Sequence, residues 1–170
     1  TLAIGDALGL ALSRRRNFTS DDFHKHHPGG MLGIGLRTIT EIVRFKIGDN
    51  VTAVLDSMNV GEALNAAKPE EGKRRAGAIL LVDDENKLTG IFTDGDLRRL
   101  VIDSSNPMEQ TIGEVATKNP RRLNATALVQ DAQQLVTQYR VDEIPIVDAN
   151  NSPIGLIDVQ DLIAMKVVTE

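Results

Sequence analysis

Apolar residues follow two different patterns along the chain. Near the start they recur at helical spacing, at Ala3, Ala7, Leu8, Ala11 and Leu12. This spacing predicts a helix over residues 3–16, and the basic run 14–16 suits the C-terminal end of its dipole. Further along, apolar residues form short continuous runs at 79–82 and 144–147, which are typical of buried strands. The chain is therefore expected to mix helices with strands.

The strand patterns belong to an internal duplication. Three pairs of segments match at an offset of 65 residues: 79–83 with 144–148, 90–92 with 155–157, and 96–97 with 161–162. The helix before each strand repeats at an offset of 69, so that Val60 corresponds to Val129. Constant offsets across several elements indicate a duplicated unit. The first repeat carries four extra residues within the segment 68–75, which reads as an exposed loop.

Each repeat reads as helix, strand, turn, strand and helix. In the first repeat the strand over 79–83 is followed by the polar turn Asp84–Lys87 and by an antiparallel strand over 88–92. A helix then begins at Asp94, with acidic residues in its first turn. A unit of about 60 residues buries only a small core, so the two units are expected to pack sheet against sheet with pseudo-twofold symmetry. The sequence predicts an α/β (α+β) fold of two β-α-β-β-α units.

Composition narrows the classes of function. The net charge of the 170 residues is -5, so nucleic acid and anionic membranes are excluded as general partners. The absence of cysteine excludes disulfides and thiol catalysis, and aromatic residues at 3% argue against a base-stacking platform. There is no signal-peptide pattern and no apolar run of the ~20 residues that a membrane helix needs, so we expect a cytoplasmic protein. Because the chain starts at Thr1 without methionine, we interpret it as a piece of a larger gene product.

The most informative motif is Gly90–Asp96, which reads Gly-Ile-Phe-Thr-Asp-Gly-Asp. With the duplication, it resembles a tandem pair of cystathionine-β-synthase (CBS) domains over roughly residues 43–168. The resemblance implies that Thr93 and Asp96 hold the phosphate and the ribose of an adenosine nucleotide. A hydroxyl with the N–H groups of a helix start suits a phosphate, and a carboxylate can accept two hydrogen bonds from ribose hydroxyls. The Thr-x-x-Asp spacing is equally a helix-capping pattern, so both roles stay open.

The second repeat departs from this motif. It reads Gly155–Asp161, where Asp161 keeps the ribose position and Asp158 replaces the hydroxyl residue. A carboxylate repels a phosphate, so we expect one phosphate site, in the first repeat. The basic run 73–75 in the extra loop fits either the charge of an anionic ligand or a solvated loop balanced by the acidic pair 70–71.

A second motif lies near the N-terminus, where Phe23–Gly33 reads Phe-His-Lys-His-His-Pro-Gly-Gly-Met-Leu-Gly. It resembles the end of a sugar isomerase (SIS) domain and, with the CBS pair, the arabinose-5-phosphate isomerase family. That family interconverts D-arabinose 5-phosphate and D-ribulose 5-phosphate for the synthesis of 3-deoxy-D-manno-octulosonate (Kdo), a sugar of lipopolysaccharide. The resemblance implies that His27 belongs to the active site of the whole enzyme. The family's other active-site groups lie upstream of Thr1, so this chain alone is expected to be inactive.

The resemblances divide the chain into four parts. They are a SIS remnant over 1–36, a linker over 37–47, a first CBS domain over 48–103 and a second over 108–168. The remnant has lost its sheet, so we expect it to be disordered or to pack on a neighbouring chain through Leu8, Leu12 and Phe18.

Three functions remain open at this stage. The chain is a regulatory CBS pair of the isomerase, a free-standing adenosine-nucleotide sensor, or a module that only holds oligomers together. The candidate ligands are AMP, ATP and the activated end product CMP-Kdo, with no required cofactor. We expect a homodimer of CBS pairs within a tetrameric whole enzyme. No metal is expected, because His24, His26 and His27 share one loop without a fourth ligand.

Overall fold

Two sheets and the helices around them make up most of the computed structural model, which describes residues 2–19, 34–68, 76–165 and 167. The helices are α1 (Leu2–Arg15), α2 (Ile39–Ile42), α3 (Val60–Ala66), α4 (Asp94–Asp103), α5 (Ile112–Val115), α6 (Val129–Tyr139) and α7 (Val159–Ala164), with a 3₁₀-helix over Pro107–Glu109. The strands are β1 (Phe45–Lys46), β2 (Ala53–Leu55), β3 (Ala78–Val82), β4 (Leu88–Thr93), β5 (Thr117–Lys118), β6 (Leu123–Asn124), β7 (Glu143–Val147) and β8 (Pro153–Asp158).

The duplicated unit has the predicted order. It appears as α3-β3-β4-α4 and again as α6-β7-β8-α7, and the two long strands of each repeat are antiparallel. The turns between those strands are also alike. The Asp83 carboxylate accepts hydrogen bonds from the N–H groups of Glu85 and Lys87, and Asp148 takes the same role in the second repeat. These bonds fix the tight turn that returns each chain segment along its own sheet.

Each sheet also receives a strand from the segment that precedes the other repeat. The first sheet has the order β2-β3-β4-β5, and the second has the order β1-β8-β7-β6. As a result, residues 37–47, which we predicted as a linker, contain α2 and β1. Ile39 and Phe45 of this segment are 0% and 2% exposed, because they pack into the core of the described structure. The exchange interlocks the two repeats.

Alternate residues of the central strands face different cores. Leu80 and Ile91 of the first sheet share a buried cluster with Phe45 and Leu156 of the second sheet. Ile79 and its neighbours on the other face pack against α3, α4 and α5 instead. A fully buried side chain of this size contributes about 1.5–3 kcal/mol, so the shared cluster holds the sheets together. The predicted packing of sheet against sheet is confirmed.

The predicted N-terminal helix is confirmed as α1. Its apolar side chains are exposed, with Leu8 at 59% and Leu12 at 52%, and Phe18 after it is 43% exposed. Residues 2–15 are thus helical rather than disordered, while packing of this face on a neighbouring chain stays a prediction. Within the described residues, no helix is long and apolar enough to span a membrane.

Candidate functional site

A cavity of about 380 Å³ opens beside the first sheet. Its walls are the loop between β1 and β2, the end of α3, the start of β3 and the junction of β4 with α4. Leu64, Ile79 and Phe92 give it an apolar side, while Asn50 and Thr93 add polar atoms. Small-molecule sites measure about 300–1,000 Å³, so the cavity suits a ligand of nucleoside size.

Thr93 and Asp96 lie together where β4 passes into α4. The Thr93 hydroxyl accepts a hydrogen bond from the Asp96 N–H at 3.1 Å and donates one to Asp96 Oδ2 at 2.8 Å. The same Oδ2 accepts the Thr93 N–H at 2.8 Å. The two residues therefore form a capping box, the second of the two roles that their spacing predicted. Thr93 also lines the cavity, whereas Asp96 lies behind that wall and is 8% exposed.

Arg99 completes the surroundings of Asp96. Its guanidinium donates to Asp96 Oδ1 at 2.5 Å, and its side chain is 69% exposed. Both carboxylate oxygens of Asp96 are thus engaged by the protein itself. A ligand hydroxyl that reaches Asp96 would share Oδ1 with Arg99 or displace it, because Oδ1 has a second acceptor position and Arg99 is exposed. This contact was not predicted from the sequence, although the spacing of three residues on one helix was a signal for it.

At the same strand–helix junction of the second repeat, the polar side chains have different hydrogen-bond partners. Asp158 caps α7 by accepting the Gln160 N–H at 2.8 Å. Asp161, at the position of Asp96, is 4% exposed, and its Oδ1 accepts a hydrogen bond from Arg44 Nη1 at 2.7 Å. Among the described residues, nothing donates to its other oxygen, Oδ2. A carboxylate at Asp158 has no proton to give, so Asp161 lacks the hydroxyl donor that Asp96 has.

Glu143 is a site residue that the sequence analysis did not single out. It begins β7 at the position that Ala78 holds in the first repeat, and it pairs with Asp158 across the ladder. Its carboxylate reaches toward the first repeat, since a Cβ on Gly77 would lie 2.7 Å from Glu143 Oε1. The offset of 65 residues pairs Glu143 with Ala78, and this replacement of an alanine by a carboxylate was the signal that could have identified Glu143.

Burial, and after it the negative charges of Asp142, Asp158, Asp94 and Asp96 in that order of effect, together raise the pKa of Glu143 to about 7. The space between the two repeats is therefore acidic, and Glu143 carries a partial charge near neutral pH. A ligand phosphate between the repeats would be repelled by carboxylates from both of them.

The remaining predicted residues divide into two groups. Asp161 lies in the second repeat at the place that the motif predicted, close to Arg44 rather than to the cavity. His24, His26, His27 and the basic run 73–75 lie outside the described residues. In the part of the chain that the structure covers, no three His, Asp or Glu side chains are grouped to hold a metal ion.

The fold and the duplicated junction define a class of protein. The model of the CBS domain family matches residues 40–103 and 112–167, so the chain belongs to this family as a tandem pair. CBSX2 in complex with AMP aligns with a TM-score of 0.61 and 21% identity, over 76% of this chain and 96% of that one. The CBS pair of MJ0100 in complex with 5'-methylthioadenosine and S-adenosyl-L-methionine aligns with a TM-score of 0.60 and 21% identity, over 76% of this chain and 99% of that one. These two likenesses show the fold.

Sequence relatives point to one group within this class. Arabinose 5-phosphate isomerase KdsD of Pseudomonas aeruginosa is 34% identical over 99% of this chain and 50% of its own length. Arabinose 5-phosphate isomerase GutQ of Salmonella typhimurium is 32% identical over 95% of this chain and 48% of its own length. Uncharacterized protein RP505 of Rickettsia prowazekii is 37% identical over 98% of this chain and 49% of its own length. The chain thus spans about half the length of these relatives, and the predicted resemblance is confirmed.

Proposed function

We propose that this chain is the regulatory part of a cytoplasmic arabinose 5-phosphate isomerase, and that its CBS pair binds a nucleotide in the cavity of the first repeat. The similarity to KdsD and GutQ over nearly the whole chain supports the parent activity. That activity is the interconversion of D-arabinose 5-phosphate and D-ribulose 5-phosphate, which serves Kdo synthesis. The half of the relatives that this chain does not span then carries most of the catalysis. His27 is proposed to complete that active site, so the chain by itself is inactive as an isomerase.

The cavity is the observation that carries the ligand proposal. Its apolar side, with Leu64 and Phe92, suits the face of a nucleobase, and it ends on Thr93 at the start of α4. The positive end of the dipole of this ten-residue helix attracts a phosphate, while the N–H groups of Asp94 and Asp96 are already bonded to the Gly77 carbonyl and the Thr93 hydroxyl. Lys68 also lines the cavity and offers a positive charge. CBSX2 and the MJ0100 pair, which share the fold, hold AMP and adenosine derivatives.

The second repeat supports one phosphate site rather than two. Asp158 stands where the first repeat has Thr93, and Glu143 stands where it has Ala78. Asp158 puts a carboxylate at the start of α7, which raises the electrostatic cost of binding a phosphate there, whereas the Glu143 carboxylate reaches toward Gly77 of the first repeat. Thr93 and Asp96 are the proposed phosphate and ribose contacts. Asp161 remains a ribose contact for a ligand part without phosphate.

A thermal-shift panel with AMP, ADP, ATP, CMP and CMP-Kdo tests this function. A ligand at a hundredfold its dissociation constant stabilises the folded chain by about 2.7 kcal/mol, which is readily measured. A shift with CMP-Kdo alone identifies a feedback sensor of the pathway, and a shift with an adenine nucleotide identifies an energy sensor. If none of the five changes the melting temperature, the nucleotide proposal fails. The oligomerisation role then takes its place, in line with the exposed Val101 and Ile102 of α4.

Two neighbouring alanines provide a matched test of the cavity. Ala67 follows α3 and lines the cavity, whereas Ala66 is exposed and does not line it. Ala67→Phe fills space beside the apolar wall, so it is expected to abolish the ligand-induced shift. Ala66→Phe adds the same ring outside the cavity and is expected to bind as the parent chain does. Equal shifts in both variants would place the ligand elsewhere.

A further inference from the structure

Both repeats bury an aspartate at the third position of a helix, and each aspartate pairs with an exposed arginine. In the first repeat the arginine is local, because Arg99 lies three residues after Asp96 on α4. In the second repeat it is remote, because Arg44 precedes Asp161 by 117 residues and belongs to the segment before β1. The position of Arg99 corresponds to Ala164 in α7, so the second repeat has no local arginine to use.

Arg44 also lacks a counterpart in the first repeat. Phe45 pairs with Leu156 as Thr117 pairs with Ile91, so β1 and β5 occupy equivalent edges of the two sheets. The residue before β5 is Ala116, where β1 is preceded by Arg44. The remote ion pair is thus a feature of one repeat, and it connects that repeat to a strand that leads directly to the cavity.

The main chain of Arg44 is hydrogen-bonded to a residue that lines the cavity. Its carbonyl oxygen accepts a hydrogen bond from Asn50 Nδ2 at 2.9 Å, and Asn50 Oδ1 accepts the Lys46 N–H at 2.8 Å. Asn50 lines the cavity, together with the residues around it in the loop between β1 and β2. Arg44 therefore links Asp161, which its guanidinium contacts, to the cavity residue Asn50, which contacts its carbonyl oxygen.

The ion pair between Arg44 and Asp161 restrains the position of Arg44. Asp161 is 4% exposed, and within the described residues its Oδ2 has no donor, so its charge depends on Arg44. Removing one partner of such a pair leaves an uncompensated buried charge, which is far more costly than the loss of an exposed pair. The guanidinium is therefore held in place, and the main chain that carries it is held with it.

We propose that Arg44 is a positioning residue whose ion pair with Asp161 holds the β1–β2 loop in its ligand-binding shape, so that the second repeat controls nucleotide binding in the first. This inference rests on the proposed function for its ligand, and on the structure alone for the position of the loop. It assigns the second repeat a supporting role in a site whose lining it does not enter.

The test compares Arg44→Met with Arg37→Met. Arg37, which precedes α2, makes an exposed ion pair at 3.0 Å with Glu41 of that helix, so its removal is a matched control without a buried partner. Hydrogen exchange of the N–H groups of Lys46, Asn50 and Val51 is measured first, because it needs no ligand. Arg44→Met is expected to speed this exchange on the order of tenfold, while the amides of β3 are unchanged. Arg37→Met is expected to match the parent chain.

Isothermal titration with AMP as the probe gives the second readout. Arg44→Met is expected to weaken binding on the order of tenfold, and Arg44→Lys, which keeps the charge, recovers part of the loss. Asp161→Asn combined with Arg44→Met should cost no more than either change alone, because both break one interaction. If Arg44→Met speeds the loop exchange but the parent chain does not bind AMP, the nucleotide proposal is overturned and the positioning role stands. Equal loop exchange in the Arg44 and Arg37 variants overturns the positioning role, and Arg44→Lys decides the matter if Arg44→Met does not fold.

Discussion

The two repeats have the same order of helices and strands, but the buried aspartate near the start of the last helix has different hydrogen-bond partners in each. In the first repeat Thr93 and Arg99 satisfy Asp96 from the same stretch of chain. In the second, Asp158 gives no proton to Asp161, and a remote arginine supplies its partner. Duplication thus preserves packing, while single replacements at matched positions decide what each junction binds. In the proposed function, the first repeat holds the nucleotide cavity and the second repeat supports its β1–β2 loop.

The largest expected difference between the repeats concerns two matched glycines. A Cβ on Gly155 would lie 2.7 Å from the carbonyl oxygen of Phe45, which is backbone and moves only with β1. A Cβ on Gly90 would meet the flexible end of Leu81 at 3.1 Å and the Thr117 carbonyl at 3.2 Å. Gly155→Ala is therefore expected to lower the free energy of unfolding by about 3 kcal/mol, and Gly90→Ala by about 1 kcal/mol. Urea denaturation measures both, and a larger loss for Gly90→Ala would contradict the comparison.

The helix caps provide a smaller difference. Thr93→Ala removes the acceptor for the Asp96 N–H and a donor to its buried carboxylate, at a cost of about 1–2 kcal/mol in unfolding free energy. Asp158→Ala removes one cap hydrogen bond, to the Gln160 N–H, at about 0.5–1 kcal/mol. Thermal denaturation of the two variants ranks them. Similar losses would mean that the hydroxyl contact with Asp96 adds nothing beyond an ordinary cap.

The smallest expected effect depends on pH. The pKa of Glu143 is raised to about 7 by burial and then by Asp142 and the other nearby carboxylates, so the folded chain holds a proton that the unfolded chain has released. Stability therefore falls as the pH rises from about 4.3, the ordinary pKa of glutamate, to about 7, and is level above. Because the side chain is partly exposed, we expect a change below about 1 kcal/mol.

Glu143→Gln isolates this effect. The variant should lose the decline between pH 4.3 and 7, so that it is more stable than the parent chain at pH 8. Glu109→Gln, at an exposed position, is the control and should keep the slope of the parent chain. Chemical denaturation at a series of pH values measures the slopes. A parallel decline in all three chains would assign the pH dependence to other groups.

Much of the fold followed from local patterns. The runs around Ile79 and Ile144 predicted the central strands, and the offset of 65 residues predicted that both repeats have the same elements in the same order. Such runs are reliable because a strand that is buried on both faces needs apolar side chains at successive positions. The exchange of β1 and β5 between sheets was not predicted, since two-residue strands carry no periodicity and pair over long distances.

The site was predictable in part. The motif placed Thr93 and Asp96 at one junction, and the structure places them in direct contact there. Arg99 was within reach of a helix-spacing argument, because its partner is on the same turn. Arg44 was not, since no local rule links residues that are separated by 117 positions. Glu143 stood at a matched position, but its raised pKa depends on burial and on carboxylates from both repeats.

The sequence by itself determined the duplicated unit, the strand–turn–strand geometry and the different residues at the two motif junctions. These features depend on neighbours in the chain, whose spacing is set by covalent geometry. Only the tertiary structure decided which segment completes each sheet, which arginine reaches each buried aspartate, and where the cavity opens. Those outcomes depend on contacts between distant segments, because a buried charge takes whatever partner the packing brings within hydrogen-bonding distance.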